Sequence, residues 1–229
     1  MKGPKAIIFA AGLWCVWICR NSMCINNEQM SIQRVSTNIT NATESIMHAF
    51  PSLQSGHLER YIRWNNNNFD CNILNVDGSC LGTPTRAGFG GLIRNSAGYY
   101  FTGFSGFIPS SSDILQAELS AIYFGLSIAI NLGFAPLACY SDSIHAITSI
   151  KEPCSKFHVY AVLIHEIQEL LSHANVSLHH TLREGNQCAD FLAKLGASSN
   201  DKLLTHSQPP DELRPLIRLD ALGTLFLRD

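Results

Sequence analysis

A chain of 229 residues has room for one domain of ordinary size plus appendages, and a hydrophobic content of 46% supports a packed core and excludes a disordered chain. With 16 basic and 18 acidic residues, a formal net charge of −2, it lacks the surplus of cations behind tight non-specific nucleic-acid binding, so any such contact is local unless another module helps. Its eight cysteines are irregularly spaced and do not read as a disulfide framework; Cys139 and Cys188 lie in apolar runs, and Cys15, Cys19 and Cys24 lack the paired spacing of a zinc site.

The chain begins MKGPKAIIFAAGLWCVWICRNS, a basic start followed by an apolar run from Ala6 to Cys19. Two readings compete. One is a signal peptide, although no small-residue cleavage site follows and the run is short for a membrane span. The other is a buried amphipathic helix carrying Trp14 and Trp17. The sequons at Asn38, Asn41 and Asn175 count only on a secreted chain. Weak helical spacing continues through Val35, Ile39, Ile46 and Phe50, and the run Asn65 to Asn68 reads as a linker. The expected organisation is a helical and linker region over 1–63, a main domain over 64–200 and a tail over 201–229.

Within the main domain, residues 71–78 read as a strand with Ile73, Asn75 and Asp77 on one face and Leu74 and Val76 on the other. GFGGLIRNSAGYYFTGFSGFI reads as a hairpin turning at Asn95 to Gly98. Residues Ser110 to Asp113 offer helix caps. Leu115, Leu119, Ile122, Leu126 and Ala129 then recur at helical spacing, with Gly133 as the stop. A strand over 137–141, a helix over 143–150 and a helix through Val159, Leu163, Ile167 and Leu170 follow, the last ended by Asn175. A strand over 176–182 precedes a final helix over 187–195, which Gly196 is expected to stop. The order β-β-β-α-β-α-α-β-α predicts an α/β fold with a five-stranded mixed sheet and helices on both faces. The tail contains DELRPLIRLDALGTLFLRD, a short apolar element able to dock on the domain.

Four acids fall where apolar elements change direction: Asp77, Glu118, Asp142 and Asp190. Gathering acids is costly, since two unit charges about 4 Å apart repel by about 4 kcal/mol at an effective dielectric near 20. The usual reason to gather them is to hold divalent metal, and carboxylate-bound Mg²⁺ pairs cut phosphodiesters. Arg183 and Lys194 are candidates for phosphate contacts.

The motifs VDGSCLGTPTRAGFGGLIRNSAG, AELSAIYFGL, SDSIHAI and HTLREGNQCADFLAKLG, in that order, resemble type 1 ribonuclease H. More narrowly they resemble the ribonuclease H-like domains of plant non-LTR retroelements and their domesticated derivatives. The resemblance covers about residues 64–200, with weaker likeness at Trp14, Trp17, Arg20 and Asn21 and at Asp220-Ala-Leu-Gly. It implies a ribonuclease H-like fold and Mg²⁺-dependent hydrolysis of the RNA strand of RNA–DNA hybrids. Asp77, Glu118, Asp142 and Asp190 then form the metal tetrad, holding two Mg²⁺ ions, with Mn²⁺ as an alternative. Asp77 bridges the two ions, Glu118 and Asp142 hold one, and Asp190 completes the other. His180 matches a mobile loop histidine that assists product release or proton transfer. Asn186 matches an Asn of the same loop and is expected to contact nucleic acid, Cys80 to Thr83 match the turn whose backbone meets the hybrid, and the turn Gly78, Ser79 and Cys80 is a candidate for contacts in the hybrid's minor groove. The expected partner is the hybrid, the expected state a monomer without stable membrane association. The expected location is nucleus or cytoplasm, with a secretory route as the rival.

Two departures from the resemblance stand out. Only Lys151 and Lys156 lie near the connection that elsewhere forms a basic, Trp-bearing protrusion. DILQAEL replaces the Thr/Asn-rich turn that forms a phosphate pocket. Both remove hybrid-binding groups, so the alternative is a noncatalytic, domesticated module that binds nucleic acid or protein.

Overall fold

A computed structural model describes residues 4–26, 31–49, 61–65, 67–109, 111–152 and 158–227, which divide into two units, 1–59 and 60–229. In the first, helix α1 (Pro4–Asn26) and helix α2 (Ile32–Ala49) pack on each other. The face of α1 that is withdrawn from solvent carries small side chains, with Ala11 and Cys15 buried. Trp14 and Trp17 point the other way. They stack on each other with ring centroids 5.5 Å apart and remain more than half exposed, so the expectation of a helix that buries them is corrected. The apolar helix is also longer than the expected run: Ile7–Ile25 is long and apolar enough to cross a membrane by length and composition alone. Phe50 lies outside the described residues.

The second unit opens with strand β1 (Tyr61–Ile62), which pairs antiparallel with strand β8 (Phe226–Leu227) and so ties the two ends of the unit together. The Asn run is therefore not a linker. Asn65 and Asn68 adopt left-handed backbone, φ 48° and 53°, a region Asn tolerates because its short polar side chain bonds locally. The Asn65 side chain both donates to the Phe69 carbonyl and accepts from its N–H. Trp64 is buried just before the turn.

Strands β2 (Asn72–Leu81), β3 (Arg86–Arg94) and β4 (Tyr100–Ile108) form an antiparallel meander. Helix α3 (Ile114–Asn131) follows, capped by Asp113, whose carboxylate accepts the Leu115 N–H at 2.8 Å; Ser110 lies outside the described residues. Strand β5 (Leu137–Ser141) pairs parallel with β2. Helices α4 (Ile144–Lys151, capped by Ser143) and α5 (Ala161–His173) lead to strand β6 (Val176–His180), parallel to β5. The connection carrying Lys156 lies outside the described residues. A 3-10 turn, Arg183–Gly185, precedes helix α6 (Gln187–Ser198). Strand β7 (Leu204–His206) and helix α7 (Arg214–Ala221) complete the unit.

The sheet has six strands in the order β6-β5-β2-β3-β4-β7, one more than expected. The extra strand comes from the stretch expected to be a tail: Leu204, Thr205 and His206 pair with Ser105, Phe104 and Gly103 and cover the open edge of β4. The compact unit accordingly runs past residue 200 to the end of the chain. Both faces are covered, as the pattern predicted. Leu74 and Val76 face a core shared with α3, α4 and α5. On the other side, Leu92 packs with Cys188, Ala189 and Leu192 of α6 and with Leu213, while Ile73 packs with Trp64, Ala138 and Tyr140.

Helix α6 does not stop at Gly196 but runs through it. A Cβ there would lie 2.5 Å from the Gly106 carbonyl oxygen. This glycine lets the helix lie directly on the sheet, a packing role that is indistinguishable from a stop signal when only the sequence is read.

Candidate active site

Each acid is delivered by a different element. Asp77 lies mid-strand on β2, at the middle of the sheet, and is 4% exposed. Glu118 lies in the second turn of α3. It reaches Asp77 because residue 78 is glycine: a Cβ at Gly78 would stand 2.5 Å from the Glu118 backbone nitrogen. Asp142 follows β5, whose parallel pairing brings its end beside β2. Carboxylate oxygens of Asp77, Glu118 and Asp142 all lie within 4.8 Å of one another.

Asp190 stands apart from this cluster. It lies in the first turn of α6 and shares the same cleft, about 400 Å³, with the other three acids. One of its oxygens accepts a 2.6 Å bond from Lys194, one turn on, and the other pairs with Arg183 at 3.5 Å. The expected tetrad is thus three converged acids and a fourth engaged by two cations.

The charge on the cluster is uncompensated. Burial, followed by the fields of Asp142 and Glu118, pushes the Asp77 carboxyl up to about 10. Burial and the Asp142 charge push Glu118 up to about 8, against opposing hydrogen bonds from the Gly78 backbone and the Ser141 side chain. Among the described residues Glu118 Oε2 is buried without a hydrogen-bond partner. A buried carboxylate oxygen left unpaired is costly. Together with an all-oxygen donor set, it fits a hard divalent cation.

The other expected site residues distribute unevenly. His180 is not on a loop. It ends β6 as the sheet neighbour of Ser141, and its Nε2 lies 3.2 Å from the Asp142 carbonyl oxygen. The adjacent His179 instead packs against Phe69 and Tyr140 and has a buried Nε2 without a hydrogen-bond partner among the described residues. Ser79 and Cys80 line the cleft with Gly78; Gly78 and Ser79 are buried, Cys80 is half-buried, and Thr83 is exposed beyond them. Arg183 and Lys194 are cleft-lining cations with solvent access.

Asn186 is placed differently from a nucleic-acid contact. It is 1% exposed. Its Nδ2 donates to the Val76 carbonyl at 2.9 Å, its Oδ1 accepts from Asn75 at 3.1 Å, and its backbone carbonyl accepts the N–H of Asp190 at 3.1 Å. It therefore bridges the residue before Asp77 to the turn that carries Asp190. Sequence reading missed Ser141, Arg94 and Asn75 as supports of the site. The only signal for them was a polar residue inside an apolar strand, which equally marks an exposed face.

A profile of the reverse transcriptase-like family matches residues 75–196, more than half of the chain, and the match takes in all four acids. The chain belongs to the reverse transcriptase-like family. An Arabidopsis thaliana relative of this family member, bearing a provisional ribonuclease H name, is 27% identical over 229 residues, covering 96% of this chain and 36% of the relative. The chain thus spans little more than a third of that protein. Among solved structures, ribonuclease H1 of the archaeon Halobacterium salinarum is similar with a TM-score of 0.50 at 23% identity, covering 55% of this chain and 96% of its own. A type 1 ribonuclease H with the type 2 active-site motif gives a TM-score of 0.52 at 14% identity, covering 69% and 88%. The fold is that of ribonuclease H.

Proposed function

We propose that this domain hydrolyses the RNA strand of RNA–DNA hybrids, using divalent metal, Mg²⁺ before Mn²⁺, at the Asp77–Glu118–Asp142 cluster. The observation that carries the reading is the convergence of those three acids, two buried and one half-buried, where burial and mutual repulsion raise the Asp77 and Glu118 carboxyls above the usual carboxylate range. A family whose relatives are named for ribonuclease H supports the substrate class.

Bound at such a cluster, divalent cations polarise a phosphoryl oxygen and lower the pKa of a coordinated water. The chain's residues supply the rest. Asp77, Glu118 and Asp142 present oxygens fixed by three rigid elements. Glu118 is held by Ser141 and the Gly78 backbone, with Oε2 left free to ligate. Asp190, paired here with Lys194 and Arg183, would help to hold a second ion if that pairing were released. Those two cations then face the phosphates of the bound strand. His180, anchored beside Asp142, accepts or returns a proton near the leaving oxygen. The end of β2 from Gly78, which is strand and not the expected turn, and the turn beyond it at Thr83 offer groups to the 2′-hydroxyls that separate RNA from DNA.

The test is a labelled hybrid incubated with Mg²⁺, comparing the wild type with Asp77→Asn. Cleavage confined to the RNA strand and lost in the variant supports the reading; cleavage surviving the substitution removes it. The pairing of Asp190 with Lys194 and Arg183 favours a second reading, a domesticated module that binds hybrid without cutting it. Binding of hybrid by the wild type with no product at any Mg²⁺ or Mn²⁺ concentration would support that one.

A further inference from the structure

A chain of buried polar side chains crosses the unit from its C-terminal helix to the site. Asp220, on α7, accepts from Arg94 Nη1 at 2.8 Å. Arg94, fully buried at the end of β3, donates from Nη2 to Asn75 Oδ1 at 2.8 Å and lies with its guanidinium 4.2 Å from the Trp64 ring centroid. Trp64 Nε1 donates to the same Asn75 oxygen at 2.9 Å. With its oxygen held by two donors, Asn75 has its amide nitrogen fixed in direction, and Nδ2 donates to Asn186 Oδ1. That fixes the flip of the Asn186 amide in turn: its Nδ2 must face the Val76 carbonyl. The backbone carbonyl of Asn186 receives the N–H of Asp190. Each link is directional, so orientation set at Asp220 passes to the two backbone points that place Asp77 and Asp190.

We infer that Asp220, Arg94 and Asn75 are positioning residues for the acidic site, setting through Asn186 the separation of Asp77 and Asp190 and hence the capacity to bind the ion that uses Asp190. A hydrophobic contact could dock α7 equally well; a carboxylate, a guanidinium and two carboxamides at 3% exposure or less are costly to bury and gain what apolar packing lacks, a defined direction at every link. The C-terminal segment is by this inference part of the site, although it lies beyond the residues that the family profile matches.

The inference rests on the proposed metal-dependent function, but its test does not need activity. The double variant Arg94→Met/Asp220→Leu removes both charges together, a replacement that ordinarily leaves stability intact or raises it. Prepared in the full chain, it should unfold near the wild-type temperature. Its backbone amides over 182–190 should nevertheless exchange with deuterium at least fivefold faster without metal, and Mn²⁺ titrated calorimetrically should bind at least fivefold more weakly. Where the wild type cleaves hybrid, kcat should fall with KM within twofold. If the double variant does not fold, Asp220→Asn is read by the same exchange and titration. Wild-type exchange over 182–190 together with wild-type Mn²⁺ affinity in the folded variant overturns the inference. A wild type that never cleaves, with the exchange and affinity changes still present, removes the nuclease reading and leaves the positioning in place.

Discussion

Strand β2 carries two buried charged environments two residues apart, and they are built on opposite rules. Around Asn75, Arg94 and Asp220 pair at 2.8 Å, with amide, indole and thiol groups filling most of the remaining directions. Around Asp77, three acids meet, and among the described residues no cation pairs with them and Glu118 Oε2 has no hydrogen-bond partner. The first arrangement pairs opposite charges and fixes geometry, although Arg94 Nε has no hydrogen-bond partner among the described residues. The second leaves its charge unsatisfied, which costs stability in the free protein and makes a place where something cationic binds. A buried charge by itself therefore says little; the sign of its neighbours separates scaffold from site.

The largest expected effect breaks the unsatisfied side. Asp77→Asn should lower hybrid cleavage at saturating Mg²⁺ by about 10³-fold or more, since the ligand set supplies several kcal/mol of transition-state stabilisation; a gel-based turnover assay reads it. The same variant tests the pH behaviour of the metal-free protein. Asp77 and Glu118 have folded values raised to about 10 and about 8 from ordinary values of 3.8 and 4.5. Their contribution to stability is complete below about pH 4 and is lost as pH rises through the folded values, because the unfolded chain releases those protons first. Thermal unfolding without metal should drop as pH rises from about 4 to about 10, less steeply in Asp77→Asn, and Mg²⁺ should restore it in the wild type.

Breaking the satisfied side should show in stability instead. Asp220→Ala leaves Arg94 buried and unpaired, at an expected cost of about 3–5 kcal/mol in urea unfolding. Gly78→Ala sharpens the comparison from between the two regions. Its Cβ would meet the Glu118 nitrogen at 2.5 Å and the Ala117 carbonyl carbon at 2.7 Å, so α3 must shift, at about 1–3 kcal/mol. Loss of Mg²⁺ affinity should accompany that shift. The smallest effect belongs to Lys194→Gln. Because Lys194 is 45% exposed, freeing Asp190 should change the Mg²⁺ concentration for half-maximal activity only a few-fold, in line with about 0.2–1 kcal/mol for such pairs.

Much of the fold was legible in the order of residues. The alternation Ile73, Asn75, Asp77 against Leu74, Val76 gave β2 its faces, because side chains of a strand alternate by geometry. Apolar recurrence from Leu115 to Ala129 gave α3, and Asp113 its cap. What periodicity could not show was close approach. Gly196 reads as a helix stop and acts as a packing notch; Gly78 reads as a turn and acts as the gap that admits Glu118. The Asn run reads as a linker because polar runs usually are, whereas Asn65 and Asn68 use left-handed backbone to turn the chain within the unit. The stretch after residue 200 carries too few residues per element for a pattern to emerge, and only pairing with β4 makes Leu204–His206 a strand.

By itself the sequence determined which acids exist, on which elements they ride and in what order, since local patterning depends only on neighbours along the chain. Tertiary structure decided that three of them converge while Asp190 is held aside by Lys194 and Arg183, and that Asn186 is a buried brace and not a surface contact. Those outcomes depend on partners up to 126 residues apart, as between Arg94 and Asp220. Distance along the chain carries no information about direction in space, so only the folded packing could set them.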